Sequence, residues 1–266
     1  MPDLVMVKKT DGIATVLLNR PEALNAFNFE LTEGLAGHLA DFAADDSVRG
    51  IVISGQGRAF CAGGDLKSAV SSPLGASAAL HKLAGLFHQA VLDIRRMPKP
   101  VIAAINGVAA GGGFSLALAC DFRVMAQSAV LRQAYTSSGL SIDGGGSFTL
   151  PRIIGLARSL EVLAFDRPIS SEQALAWGLA TRVVTDGTAV EEAAGMAREL
   201  AAGSLVSFGW SKKLLTDSFD TSFETHIERE RRGICACAES PEGMEGLRAF
   251  AERRKPVFWQ PRAEEP

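Results

Sequence analysis

Several things are missing from this sequence of 266 residues, and each absence excludes something. There is no basic excess: 27 Lys and Arg stand against 30 Asp and Glu, a net charge of −3. Nothing in that balance drives binding to nucleic acid. The four cysteines, Cys61, Cys120, Cys235 and Cys237, form no C-x-x-C pair. They read as reduced thiols of a cytoplasmic protein. The four histidines, His38, His81, His88 and His226, lie apart without metal-ligand spacing, so no metal site is expected. The N-terminal stretch MPDLVMVKKTDG lacks the apolar run of a signal peptide. The long uncharged run between Lys99 and Asp121 is interrupted by Asn106, Ser115 and four glycines. It reads as strand, loop and buried helix rather than a membrane span. No internal repeat or low-complexity tract is visible.

What remains is ordinary globular material, 47% hydrophobic and 21% charged, long enough to bury a sizeable core. VMVKKTDGIATVLLN predicts a hairpin turning at Asp11-Gly12. NFELTEGLAGHLADFAADD has helical periodicity, and RGIVISG is a β-branched strand. Residues 70–77 read as a Pro/Gly/Ser loop. AALHKLAGLFHQAVLDIRRM is an amphipathic helix stopped before Pro98, and PVIAAINGV is the next strand. Beyond about residue 186 the pattern is almost wholly helical. An α/β core with a C-terminal helical arm follows.

Two glycine clusters stand out: CAGGDLKSAV, residues 61–70, and GVAAGGGFSLALAC, residues 107–120. Each could be no more than a tight turn. Each could also bring backbone N–H groups against a ligand, because glycine has no side chain to hold it off. Gly112 and Gly113 fall at the predicted start of a helix that is apolar on every side. Free N–H groups and the helix dipole favour negative charge there. Two such donors from separate loops would make an oxyanion hole.

LLNRPEALNAFN (17–28), GRAFCAGGDLK (57–67), KPVIAAINGVAAGGG (99–113), GLARSLEVLAFDRPISSEQALAWGLATRVV (155–184) and SPEGMEGLRAFAERRKPVF (240–258) together resemble the enoyl-CoA hydratase/isomerase superfamily, the crotonase fold. The likeness runs from about residue 4 to 258. It implies a spiral of repeated β-β-α turns, residues 1–200, and a C-terminal helical oligomerisation region, 201–266, forming trimers or hexamers. It implies an acyl-CoA thioester substrate, with coenzyme A part of the substrate and no separate cofactor. The hole would be the N–H groups of Gly64 and Gly112, each such donor being worth about 3–4 kcal/mol to the transition state. Coenzyme A would lie along Ala23, Leu24 and Ala26, and along Ala62 to Lys67, including Asp65 and Leu66. Phe250 and Arg253, placed on the last helix, would reach a neighbouring subunit's site. Leu247, Phe250, Phe258 and Trp259 are expected to be buried between subunits.

The sequence departs from the hydratase pattern where that pattern places two glutamates. Here those positions are Ser115 and Tyr135. Serine has no useful proton affinity near neutrality, and tyrosine titrates near ~10. Tyr135 could bind substrate or pack in the core. The carboxylate that remains is Asp143, in GLSIDGGGSFTLPR, eight residues past Tyr135. Its context most resembles the epoxyphenylacetyl-CoA isomerase branch, and one carboxylate suits an isomerase. Burial beside an apolar acyl chain would raise its pKa toward a useful range. Three alternatives stay open: a hydratase, an aryl-CoA dehalogenase-like hydrolase with Asp143 as nucleophile, and a non-catalytic acyl-CoA binder. The dehalogenase branch would add a histidine from the preceding helix, which carries His81 and His88, and a tryptophan where Tyr135 stands. Pocket walls are expected from 66–90 and 132–142.

Overall fold

The computed structural model describes residues 3–259. The chain opens with a hairpin, β1 (Val5–Thr10) and β2 (Ile13–Leu18), paired antiparallel. Its turn has positive φ at both Asp11 and Gly12, as the sequence predicts. A short 3-10 turn (Pro21–Ala23) leads to α1 (Phe29–Ala44), capped by the Asn28 side chain on Leu31 N.

The spiral follows. Its first turn is β3 (Gly50–Gly55), β4 (Ala59–Cys61), the short α2 (Leu66–Val70) and the long α3 (Ala76–Arg96). Its second is β5 (Val101–Ile105), β6 (Val108–Ala110) and α4 (Gly112–Ala119). The third is β7 (Phe122–Ala126), β8 (Val130–Arg132), α5 (Gly146–Ile154) and α6 (Leu156–Phe165). The last returns through β9 (Ile169–Ser170), α7 (Ser171–Ala176) and β10 (Arg182–Val184). Each turn gives one strand to each of two sheets, ordered β1-β2-β3-β5-β7-β10 and β4-β6-β8-β9. What reads in the sequence as one strand, PVIAAINGV, therefore holds β5 and turns a corner, with its last residue, Val108, opening β6 in the other sheet. Asn106 makes the corner between them, its amide donating to Gly55 O and Gly57 O at 2.9 Å in the turn of the layer below. This is the crotonase-type α/β spiral.

The inner strands are parallel and apolar on both faces, so both must be covered. β3 is buried along its whole length. One cover is α8 (Ala189–Ala201), which buries Ala189, Ala193, Ala197 and Ala201 at a spacing of four. That row of methyl groups lets the helix lie close to β3 and β5. Three more helices follow among the described residues: α9 (Leu205–Asp217), α10 (Phe223–Glu239) and α11 (Pro241–Ala251). No helix among the described residues is long and apolar enough to cross a membrane.

One expectation for the C-terminus is corrected. Arg253 lies beyond the end of α11, in a left-handed turn. Phe258 and Trp259 are half-buried against their own chain: Phe258 packs on Gly246, and the Trp259 ring covers Gly12 and the Arg49 guanidinium. The extended tail folds back because two large aromatics find an apolar surface within reach. Leu247 and Phe250, by contrast, are 61% and 86% exposed.

Candidate functional site

The two glycine clusters are adjacent in space, for reasons that begin in the loop after β2. Leu24 and Asn25 both take left-handed conformations, which turn the chain sharply. Asn25 is fully buried, and its amide donates to Gln56 O at 3.0 Å and Ala59 O at 2.8 Å. The segment is thereby pinned along the first glycine loop. Ala62 N bonds Leu24 O, Phe27 N bonds Gly63 O, and Asp65 N bonds Phe27 O. Ala23, Leu24 and Ala26 thus flank residues 62–65. Asp65 caps α2 through Ser68 N at 3.1 Å and pairs with Arg20 at 2.8 Å. Leu66 and Lys67 open α2 and are exposed.

The second cluster packs directly on the first. A Cβ on Gly113 would overlap the Cys61 carbonyl, so only glycine lets α4 start this close to β4. The Gly112 N–H stands at the first position of that buried helix, where no helical acceptor exists. Among the described residues, neither Gly64 N nor Gly112 N has a hydrogen-bond acceptor. Both glycines line one cavity of about 430 Å³. An oxygen carrying negative charge is the natural occupant of two such donors.

The cavity's walls come from α3 and from the segment between β8 and α5. Leu80, Leu83, Ala84 and Phe87 give α3's apolar share, with Phe27 packed against Phe87 at a ring separation of 4.9 Å. Ser77 and His81 also line it from α3. Ala134, Tyr135, Ser138, Leu140, Ser141 and Asp143 line the opposite side. Asp143 is the one carboxylate on this lining among the described residues.

Ser115 and Tyr135 are brought together, and both are engaged by the backbone. The buried Ser115 hydroxyl donates to the Asp143 carbonyl at 2.6 Å. The Tyr135 hydroxyl lies 3.0 Å from Ser115 Oγ and 3.3 Å from the same carbonyl. Burial pushes the Tyr135 phenol well above its ordinary value, so it stays protonated. Burial likewise pushes the Cys61 thiol up to about 12, which leaves it neutral. Neither group offers a base. Gly144, next to Asp143, has φ +61°, and a Cβ there would run into the Phe87 ring. The aspartate's loop is held between α4 and α3 by these contacts.

Two features describe the Asp143 carboxyl. It is open to the cavity: 40% of the side chain is exposed in the protein alone. It is also paired, with His88 Nε2 2.6 Å from its Oδ1. His88 lies 55 residues away on α3 and is one of the two histidines on that helix to which the dehalogenase-like alternative pointed. The helical face that carries Ala84 and Phe87 does carry His88, and that periodicity was the available signal. Phe250 and Arg253 do not line this cavity in their own chain.

Comparison with known proteins agrees with this architecture. The family model described as enoyl-CoA hydratase/isomerase matches residues 8–261. A 1,2-epoxyphenylacetyl-CoA isomerase of Escherichia coli (strain K12) is 36% identical over 259 residues, 97% of this chain and 99% of that protein. A 4-chlorobenzoyl coenzyme A dehalogenase of Arthrobacter sp. is 33% identical over 250 residues, 94% of this chain and 91% of that protein. The crystal structure of an enoyl-CoA hydratase from Polaromonas sp. JS666 superposes with a TM-score of 0.90 at 34% identity, covering 95% of this chain and 98% of that one. The chain belongs to the enoyl-CoA hydratase/isomerase family.

Proposed function

We propose that this member of the family is an acyl-CoA isomerase that moves one proton through Asp143. In this reading the thioester oxygen sits between the N–H groups of Gly64 and Gly112. Coenzyme A follows Ala23, Leu24 and Ala26 on one side and Ala62 to Lys67 on the other. Asp143 removes a proton alpha or gamma to the carbonyl. The C–H electron pair passes to the thioester oxygen, where the two N–H groups meet the developing charge without reorganising. The carboxylic acid then returns the proton to another carbon and is a carboxylate again. The His88 imidazole, donating from Nε2, holds Oδ1 and leaves Oδ2 for the substrate.

The observation that carries this reading is the pairing of one cavity carboxylate with two unengaged N–H groups. The two positions where hydratases carry glutamates hold Ser115 and Tyr135, whose hydroxyls meet the backbone of Asp143. Addition of water wants an acid and a base on one molecule, whereas isomerisation needs a single group that gives back what it took. The likeness to an epoxyphenylacetyl-CoA isomerase points the same way.

The His88–Asp143 contact favours a second reading, in keeping with the likeness to a chlorobenzoyl-CoA dehalogenase. There the Asp143 carboxylate would attack a ring carbon, and halide would leave with its electron pair. Water activated by His88 would then cleave the aryl-aspartyl ester. A panel of 2-enoyl, 3-enoyl, dienoyl, epoxyaryl and haloaryl thioesters separates the readings. A changed ultraviolet spectrum at constant mass is the expected result. Halide release would establish the second reading. Gain of one water would mean hydration, and free coenzyme A would mean thioester hydrolysis. Either outcome would overturn the isomerase assignment, and tight binding with no conversion of any thioester would leave a binding protein.

We also propose that the chain assembles as a trimer or as a hexamer of two paired trimers. Leu215, Phe223, Ile234, Leu247 and Phe250 are each more than 60% exposed along α9 to α11. Such a surface is costly in water, and a subunit contact would cover it. In that assembly Phe250 and Arg253 would serve a neighbour's site. Light scattering at micromolar protomer should give three or six times the chain mass; a monomer would contradict the proposal.

A further inference from the structure

Asp166 lies outside the cavity, yet its carboxylate is bonded to the wall that carries Tyr135. It follows α6 in a left-handed conformation, φ 47°, and is only 7% exposed. Glycine is the unstrained residue at such a helix end. An aspartate there brings an acceptor instead, and its side chain meets the segment that runs from β8 into the cavity wall. Oδ1 accepts the Ala134 N–H at 2.8 Å. Oδ2 lies 3.0 Å from Arg132 Nη2, and Asp166 O accepts Arg132 Nε at 3.1 Å.

Ala134 and Arg132 are the two ends of a strained corner. Ala134 has φ 52°, a region that costs a non-glycine residue about 1–2 kcal/mol. Such a conformation persists only where neighbours over-determine it. Here the bond from Ala134 N to Asp166 does so, helped by Gln133, whose Oε1 accepts Tyr135 N at 3.1 Å. The Arg132 carbonyl accepts Gly111 N at 3.1 Å, one residue before the free N–H of Gly112. The Tyr135 hydroxyl, in turn, meets the Asp143 carbonyl. One buried carboxylate therefore connects with both the glycine corner and the loop of the acid.

We infer that Asp166 is a positioning residue, which sets the Ala134–Tyr135 turn and through it the placing of Asp143 and the Gly112 N–H. The catalytic consequence rests on the isomerase reading; the structural one does not. The test uses the fact that Tyr135 is the single tyrosine of the chain, so phenolate absorbance reports on it alone. In the parental protein a stopped-flow pH jump should show that phenol ionising well above ~10. Asp166→Gly removes the carboxylate from a position where glycine is unstrained. It should retain the parental far-ultraviolet circular dichroism and bring the Tyr135 titration down toward ~10 as the turn loosens and admits water. Asp166→Asn still offers an oxygen to Ala134 N and should remain close to the parental titration. On a converted thioester, kcat of Asp166→Gly should fall about 10- to 100-fold, with KM much less affected.

A folded Asp166→Gly protein with the parental Tyr135 titration would overturn the inference. So would a shifted titration with unchanged kcat, since the residue would then hold a loop without serving the reaction. If Asp166→Gly does not fold, Asp166→Ser, whose shorter side chain withdraws the acceptor from Ala134 N, takes its place, and its titration decides in the same way. The titration needs no substrate. A positive titration with no isomerisation of any thioester would therefore sink the isomerase reading and keep the structural tether.

Discussion

Asp143→Asn should bind acyl-CoA as the parental protein does and turn it over about 10²–10⁴ times more slowly, the usual worth of a positioned acid-base group. The asparagine keeps the size of the side chain and can still face His88, but it has no basic oxygen. Affinity should survive because the contacts proposed for the thioester and coenzyme A are largely backbone contacts, on loops pinned by Asn25 and by the packing of Gly113 on Cys61. None of those loops leans on the Asp143 carboxylate. Ser115→Ala and Tyr135→Phe should cost much less. Each removes a hydroxyl from the Asp143 carbonyl, which also accepts Gly146 N at 3.1 Å and is not left unbonded. The measurements are isomerisation rate and uptake of solvent deuterium at the alpha or gamma carbon. If Asp143→Asn retains both while Tyr135→Phe loses both, the proton passes through Tyr135 and the mechanism must be rebuilt around it.

The parts of this site written in local patterns were legible in the sequence, and the parts written across distance were not. A glycine triplet ahead of an apolar run marks the start of a buried helix, because only glycine and small apolar residues suit that place. Gly111 to Ala119 follow this reading closely. The hairpin at Asp11-Gly12 is equally local. PVIAAINGV misleads because periodicity carries no record of a corner: both halves are apolar, and only Asn106, bonding into the turn of the layer below, separates them. α2 was hidden in a segment rich in turn-forming residues, where Asp65 supplies a cap that composition alone does not weigh. The His88–Asp143 pair joins α3 to a loop 55 residues later. Its geometry depends on how α3 is rolled against α1 and α4, which no local spacing encodes. The fold-back of the tail is illegible for a related reason. Phe258 and Trp259 look like exposed apolar residues until the chain's reversal after α11 brings them onto Gly246 and Gly12.

Lys212→Met should destabilise the fold by about 3–5 kcal/mol, the cost of leaving a buried charge without its partner. Lys212 projects from α9 into the spiral with 8% of its side chain exposed. Its Nζ donates to Asp121 Oδ2 at 2.8 Å and to Ile94 O at 2.6 Å, at the end of α3. Asp121 Oδ2 also accepts Val101 N at 2.9 Å, at the start of β5. One ammonium thus ties the C-terminal helices to the entry of the second spiral turn. Burial already raises the Asp121 carboxyl, with Lys212 the main opposing influence, so its loss drives the pKa further up. The sign of the pH effect follows. A carboxyl raised in the folded state binds more protons there than in the unfolded chain, so stability falls as pH rises through the window above ~3.9. The deficit of Lys212→Met should therefore be greatest near neutrality and shrink as the pH falls toward 4. Urea unfolding at a fixed protomer concentration checks it, since a loss of this size should lower the midpoint by about 1 M or more. Adding Asp121→Asn should recover much of the loss, because the amide oxygen still accepts Val101 N and no charge is left buried. A Lys212→Met protein as stable as the parent at pH 7 would show that α9 is held by its apolar contacts alone.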